Sequence, residues 1–130
     1  MKNSQTQPTK ILIIDDDVYT SEMYAMHLRK AGYLVDIKTD GAKGYDSMCK
    51  DNYDIILLDI MLPELDGSEL LAKWRKSNPK GSKPPIVILT NYEQTDSTRA
   101  KLAANSDGYV IKAAITPRSL VQIIEKTLSE

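Results

Sequence analysis

The chain has 130 residues, enough for one ordinary domain and too few for two. Its 42% hydrophobic and 27% charged residues are the balance of a folded globular chain, and a net charge of -1 leaves no electrostatic footprint for a nucleic-acid surface. No apolar run approaches the roughly 18 residues of a membrane span, and the polar stretch 1–9 lacks the character of a signal peptide, so a flexible tail (1–9) before one cytoplasmic domain (10–130) is expected. The single cysteine, Cys49, excludes an intrachain disulfide, and there is no Cys/His cluster with zinc spacing.

Residues 10–15 form the first apolar run of strand length. A helical stripe of Thr20, Met23, Tyr24, His27, Leu28 and Ala31 follows, with Gly32 as its stop. His27 sits at the edge of that stripe and reads as a partly buried, satisfied histidine. Residues 33–39 alternate apolar and polar, as a strand near a sheet edge does. A second helix is predicted over 42–50, with Tyr45, Met48 and Cys49 inward, and Cys49 then reads as a small buried hydrophobe.

Residues 54–59 are a second continuous apolar run, followed by a helix over 68–76 with Leu70, Leu71 and Trp74 inward. The stretch 77–85, with its Asn, Gly, Ser and three prolines, is a loop. A third apolar run covers 85–90. Helix four, over 96–105, has few large apolar groups and should be mobile. Residues 108–112 make a short edge strand. In the last helix Thr116 suits the N-cap and Pro117 the first turn, and Leu120, Val121, Ile124 and Leu128 form the buried stripe.

This (βα)5 alternation predicts an α/β fold: an open, doubly wound parallel sheet with helices on both faces. In such sheets ligands sit beyond the carboxyl ends of the strands. Those ends carry Asp15-Asp16-Asp17, Asp59, Thr90 and Lys112, so carboxylates, a hydroxyl and an ammonium should converge on one crevice. Clustered carboxylates repel unless a cation neutralises them, and all-oxygen ligation suits Mg²⁺, with Mn²⁺ a substitute. Taken singly, Asp17 is better explained as a helix cap, Thr90 as a strand end and Lys112 as a surface lysine; the pattern is in their conjunction.

The runs Ile-Leu-Ile-Ile-Asp-Asp-Asp at 11–17, Asp-Ile-Ile-Leu-Leu-Asp-Ile-Met-Leu-Pro-Glu-Leu-Asp-Gly at 54–67, Ile-Val-Ile-Leu-Thr at 86–90 and Gly-Tyr-Val-Ile-Lys at 108–112 together resemble the receiver domains of two-component response regulators, over about 10–128. The resemblance is to the single-domain, chemotaxis-regulator-like type. It implies a flavodoxin-like, five-stranded sheet of order 2-1-3-4-5. It implies Asp59 as phosphoacceptor, and Asp15, Asp16, Asp59 and the Met61 backbone at a Mg²⁺ site. Thr90 and Lys112 would bind phosphoryl oxygens, Thr90 and Tyr109 would form the switch, and Met61 and Tyr92 would flank the path of the hydrolytic water. The implied partners are a sensor histidine kinase or histidine phosphotransfer protein and a downstream protein target, with no direct nucleic acid or membrane contact, in a monomer or weak dimer. The target would meet helix four, the last strand and the last helix, with Tyr109 exposed.

Two positions depart from the family pattern. Ala113 follows Lys112 where proline is usual, and a trans bond with a rearranged loop is expected because a cis bond there would cost about 2.5–4 kcal/mol. Asn91 follows Thr90 where a small residue is usual. Two other classes of function compete with phosphoacceptance: a binding module, and an enzyme or nucleotide-binding domain on the same scaffold. A degenerate, phosphorylation-independent binding module is opposed by the full set of Asp15, Asp16, Asp59, Thr90 and Lys112. A nucleotide- or flavin-binding enzyme is opposed by the acidic first loop, which repels phosphate where a glycine-rich turn would bind it. An aspartate-nucleophile phosphatase would carry Asp-x-Asp where this chain has Asp59-Ile60-Met61.

Overall fold

The computed structural model describes residues 8–91 and 95–130, Asp96 through its backbone alone. Five strands, β1 (Lys10–Ile14), β2 (Leu34–Lys38), β3 (Ile55–Asp59), β4 (Ile86–Thr90) and β5 (Gly108–Ile111), alternate with α1 (Val18–Lys30), α2 (Gly41–Lys50), α3 (Gly67–Arg75), α4 (Asp96–Asn105) and α5 (Pro117–Ser129). All strand pairings are parallel, in the order β2-β1-β3-β4-β5.

The apolar runs become the inner strands because each is covered on both faces. Every residue of β3 and β4 is buried, whereas β2 and β5 are only partly covered, as expected of edges. Side chains alternate between two cores. Leu12, Ile14, Ile56, Leu58, Ile86 and Ile88 face α2, α3 and α4 with Met48, Leu70, Trp74 and Leu102. Ile11, Ile13, Ile55, Leu57, Val87 and Leu89 face α1 and α5 with Tyr24, Leu28, Leu120 and Ile124.

The helix boundaries follow local chemistry. α1 stops at Gly32, whose φ of 100° is open to glycine. α5 starts with Thr116 and Ser119 capping each other's backbone, and with Pro117 in the first turn.

Three inward assignments are corrected. Met23 is 42% exposed and Ala31, the cap residue after α1, is exposed too; α1 buries Ser21, Tyr24, Ala25 and Leu28 instead. Cys49 is exposed; α2 turns Gly41, Gly44, Ser47 and Met48 to the sheet, leaving Tyr45 half-buried. The small residues decide this, since a Cβ at Gly44 would run into the Ile14 side chain. A hydrophobicity stripe does not register glycine as a contact surface. Trp74 is buried, and His27 is half-buried with Nδ1 3.0 Å from the Met23 carbonyl, both as expected.

Candidate phosphoacceptor site at the carboxyl edge of the sheet

The three aspartates after β1 have three different environments. Asp15 is fully buried, and its Oδ1 accepts a hydrogen bond from the Asp17 amide at 2.9 Å. Asp16 is exposed. Asp17 caps α1, accepting from the Thr20 amide at 3.1 Å and the Thr20 hydroxyl at 2.7 Å, and these bonds hold its carboxyl below the ordinary value. The cap reading of Asp17 therefore holds, and its carboxylate is committed to the helix.

Asp59 ends β3 and is 2% exposed. The loop after it folds back tightly: the amides of Leu62 and Gly67 both donate to the Ile60 carbonyl, at 3.2 and 2.7 Å. A Cβ at Gly67 would overlap the Asp59 carbonyl oxygen, so only glycine permits this approach. Asp66 then caps α3, accepting from the Glu69 amide and the Ser68 hydroxyl. Burial raises the Asp66 carboxyl, but these bonds outweigh it and the net shift is downward. From sequence, the supporting pair Asp66-Gly67 is only the end of the run 54–67, with no structural role of its own. Its signal was an Asp three residues before Glu69 at the start of an apolar-periodic segment.

Thr90 ends β4 and is fully buried. Lys112 lies just past β5, which stops at Ile111; the chain passes directly into a 3-10 turn, Lys112–Ala114. The bond from Lys112 to Ala113 is trans, as expected. The Lys112 side chain is 5% exposed and its Nζ stands 2.5 Å from Asp15 Oδ2 and 3.6 Å from Asp59 Oδ2. The Met61 amide faces Asp59 Oδ1 at 3.4 Å, and its side chain is 57% exposed, outside the core. Tyr92 lies outside the described residues.

Tyr109 corrects an expectation. It is half-buried rather than exposed, packs against the α2–α3–α4 core, and its hydroxyl is buried with no hydrogen-bond partner among the described residues. Arg99 of α4 lies over its ring, 5.8 Å from the centroid. Position on an edge strand suggested exposure; the cover comes from α4, which strand patterning cannot report.

One carboxylate oxygen from each of Asp15, Asp16 and Asp59 lies within 4.8 Å of the others. Burial pushes the Asp59 carboxyl up to about 6 and Asp15 adds to the rise, while the Lys112 charge opposes it. For Lys112 burial disfavours the ammonium, but the bond to Asp15 and the charges of Asp15 and Asp59 prevail and raise its pKa. Three carboxylates thus face one ammonium, an arrangement that favours a cation or a proton.

Residues 11–125 match the family described as the response regulator receiver domain. The chain belongs to that family. It is 31% identical over 95% of its length to the transcriptional regulatory protein ResD of Bacillus subtilis, covering 50% of that protein. Over 79% of its length it is 35% identical to HprR of Escherichia coli, covering 44%. The chain therefore spans about half the length of the curated relatives it matches.

Among solved structures, the receiver fold superposes on a CheY-like receiver domain from Methanospirillum hungatei with a TM-score of 0.84, at 29% identity over 95% of both chains. It also superposes on the receiver domain of the sensor histidine kinase PA1611 from Pseudomonas aeruginosa, with a TM-score of 0.82, 27% identity, and 95% and 100% of the two chains covered. That structure is described with a magnesium ion coordinated in its active-site cleft.

The receiver site of this chain fits such an ion by its own chemistry. The donors are all oxygen, the net charge is negative, and one oxygen from each of Asp15, Asp16 and Asp59 lies within 4.8 Å of the others, so these carboxylates would hold a single hard cation and share its charge. Among the described residues no helix is long and apolar enough to cross a membrane.

Proposed function

We propose that this receiver accepts a phosphoryl group on Asp59, with a divalent cation held by Asp15, Asp16, Asp59 and the Met61 backbone. The observation carrying this reading is the buried Asp59 carboxylate, 3.6 Å from the Lys112 ammonium and within 4.8 Å of the Asp15 and Asp16 oxygens. When bound, Mg²⁺ supplies charge neutralisation for the incoming phosphoryl group. The protein's own groups do the rest. An Asp59 oxygen attacks phosphorus in line while the bond to the donor's leaving group breaks, giving an acyl phosphate. Lys112 and Thr90 stabilise the phosphoryl oxygens, since such transfers need positioning and charge compensation more than covalent help.

The donor in this reading is a histidine kinase or histidine phosphotransfer protein, and the recipient of the signal is a protein. A near-neutral chain supports a protein target over direct nucleic-acid contact by this domain. Thr90 and the half-buried Tyr109 are the proposed switch pair, connecting the site to the face formed by α4, β5 and α5. Residues 10–130 are taken as the receiver unit and 1–9 as its tail. Phosphorylation-independent binding is the competing function, and the assembled carboxylates and lysine weigh against it.

The test is labelling by a small-molecule phosphodonor with and without Mg²⁺. Label on the wild type that requires Mg²⁺ and is lost in Asp59→Asn is the expected result. Equal labelling of Asp59→Asn would refute the assignment, and no labelling of either would favour the binding module.

A further inference from the structure

The large apolar contact of α4 lies near its carboxyl end. The first half of α4, 96–100, contains no apolar side chain larger than alanine, and its one large apolar residue, Leu102, is 3% exposed in the closing turns. The helix has no basic residue in its last turn to meet its carbonyl groups and the negative end of its dipole. Two cations from elsewhere do so. Arg75, the last residue of α3, donates from Nε to the Asn105 carbonyl at 2.7 Å, and Lys80 donates to the Ala103 carbonyl at 3.4 Å.

Arg75 does more than cap. Its Nη2 bonds Asp107 Oδ2 at 3.0 Å, and its Nη1 reaches the carbonyls of Asn78 and Pro79 at 3.2 and 3.4 Å. The same Asp107 oxygen accepts from the Ile86 amide at 2.8 Å, and the Asp107 amide donates to the Ile86 carbonyl at 2.7 Å. The Arg75 side chain is 9% exposed. One planar fork, largely out of water, therefore joins the ends of α3 and α4, the loop before β4 and the start of β4.

We propose that Arg75 is a positioning residue of the switch: it pins the carboxyl end of α4, so that loading the Asp59 site tilts α4 about Leu102–Asp107 with the largest displacement at its amino end. This rests on the phosphoacceptor reading above. Thr90 is joined to the amino end of α4 through 91–95, so a movement at Thr90 enters at the end opposite the pivot, about 9 Å along the helix from Leu102. A helix clamped this way changes orientation rather than sliding along its groove.

Amide exchange on the whole chain tests both parts. Without a phosphoryl mimic, amides 103–107 are expected to exchange about tenfold faster or more in Arg75→Ala than in wild type. Arg75→Lys should be intermediate, because an ammonium reaches a carbonyl but lacks the fork. With Mg²⁺ and beryllofluoride, wild-type amides 99–101 should change while 104–107 stay as they were, and in Arg75→Ala the change should extend through 107. Wild-type exchange at 103–107 in Arg75→Ala overturns the clamp, and mimic-induced changes of equal size along wild-type α4 overturn the tilt. If Arg75→Ala does not fold, Asp107→Asn makes the same comparison with a smaller rise. If the mimic alters nothing near 59–61, the tilt falls together with the phosphoacceptor reading, and the mimic-free comparison still decides the clamp.

Discussion

Lys112 meets Asp15 across 97 positions of sequence, Nζ to Oδ2 at 2.5 Å, with both side chains buried. The contact closes the site from the β5 side and leaves Asp59 as the second carboxylate within that ammonium's reach. Removing the lysine leaves two buried carboxylates without their cation. Lys112→Ala should lower metal-free stability by about 3 kcal/mol, and saturating Mg²⁺ should recover part of it. Urea unfolding with and without Mg²⁺ checks this; equal losses in both conditions would contradict it.

Asp59 sets a pH dependence. Its carboxyl rises from the ordinary 3.8 to about 6 on folding, so between those values the folded state holds more protons than the unfolded one. Its contribution to metal-free stability is therefore present at low pH and lost as pH rises through about 6. Mg²⁺ competes with the same proton, so its affinity should climb across that window. Calorimetric titration at pH 5 and pH 7 measures the difference, and Asp59→Asn should flatten the metal-free stability profile over the same range.

Gly67 tests the scaffold independently of the chemistry. Its approach to the Asp59 backbone leaves no room for a methyl group, and backbone cannot yield as a side-chain tip can. Gly67→Ala should cost about 3 kcal/mol or more, through strain in the loop that carries Met61. A thermal melt within a degree or two of wild type would show that the loop repacks freely.

Glu64 carries a φ of 67°, a conformation that L side chains adopt at a cost of about 1–2 kcal/mol. Asparagine tolerates it better, and Glu64→Asn should stabilise the protein by about 0.5–1 kcal/mol. The thermal midpoint should rise by a few degrees with labelling unchanged.

For the phosphoacceptor proposed above, the lifetime of the acyl phosphate would depend on water reaching the phosphoryl group. Met61 is exposed beside Asp59, and neither it nor Tyr92 offers a carboxylate or amide to orient that water. Positioning or general-base assistance is typically worth about 10²–10⁴-fold. Met61→Asn combined with Tyr92→Glu should speed loss of label from purified phosphoprotein by about tenfold or more, and unchanged or slower loss would contradict this.

The sequence by itself determined the strand and helix order, the buried inner strands and the set of residues at the carboxyl edge. It could do so because an inner parallel strand must be apolar on both faces, and its polar last residue then has one place to be. The helix ends were legible at Thr116-Pro117 and Gly32 for a similarly local reason, since caps act within a few residues. Tertiary structure alone decided which groups share an environment. The three consecutive aspartates look alike in sequence, yet Asp15 is buried against a lysine 97 positions away, Asp16 is exposed and Asp17 is spent on a helix cap. Cys49 turned outward because Gly41 and Gly44 gave α2 its contact face, and Tyr109 turned inward because α4 covers it. The Asp17 cap is local, but for Asp15, Cys49 and Tyr109 the deciding contact comes from another element, and the periodicity of one element carries no information about it.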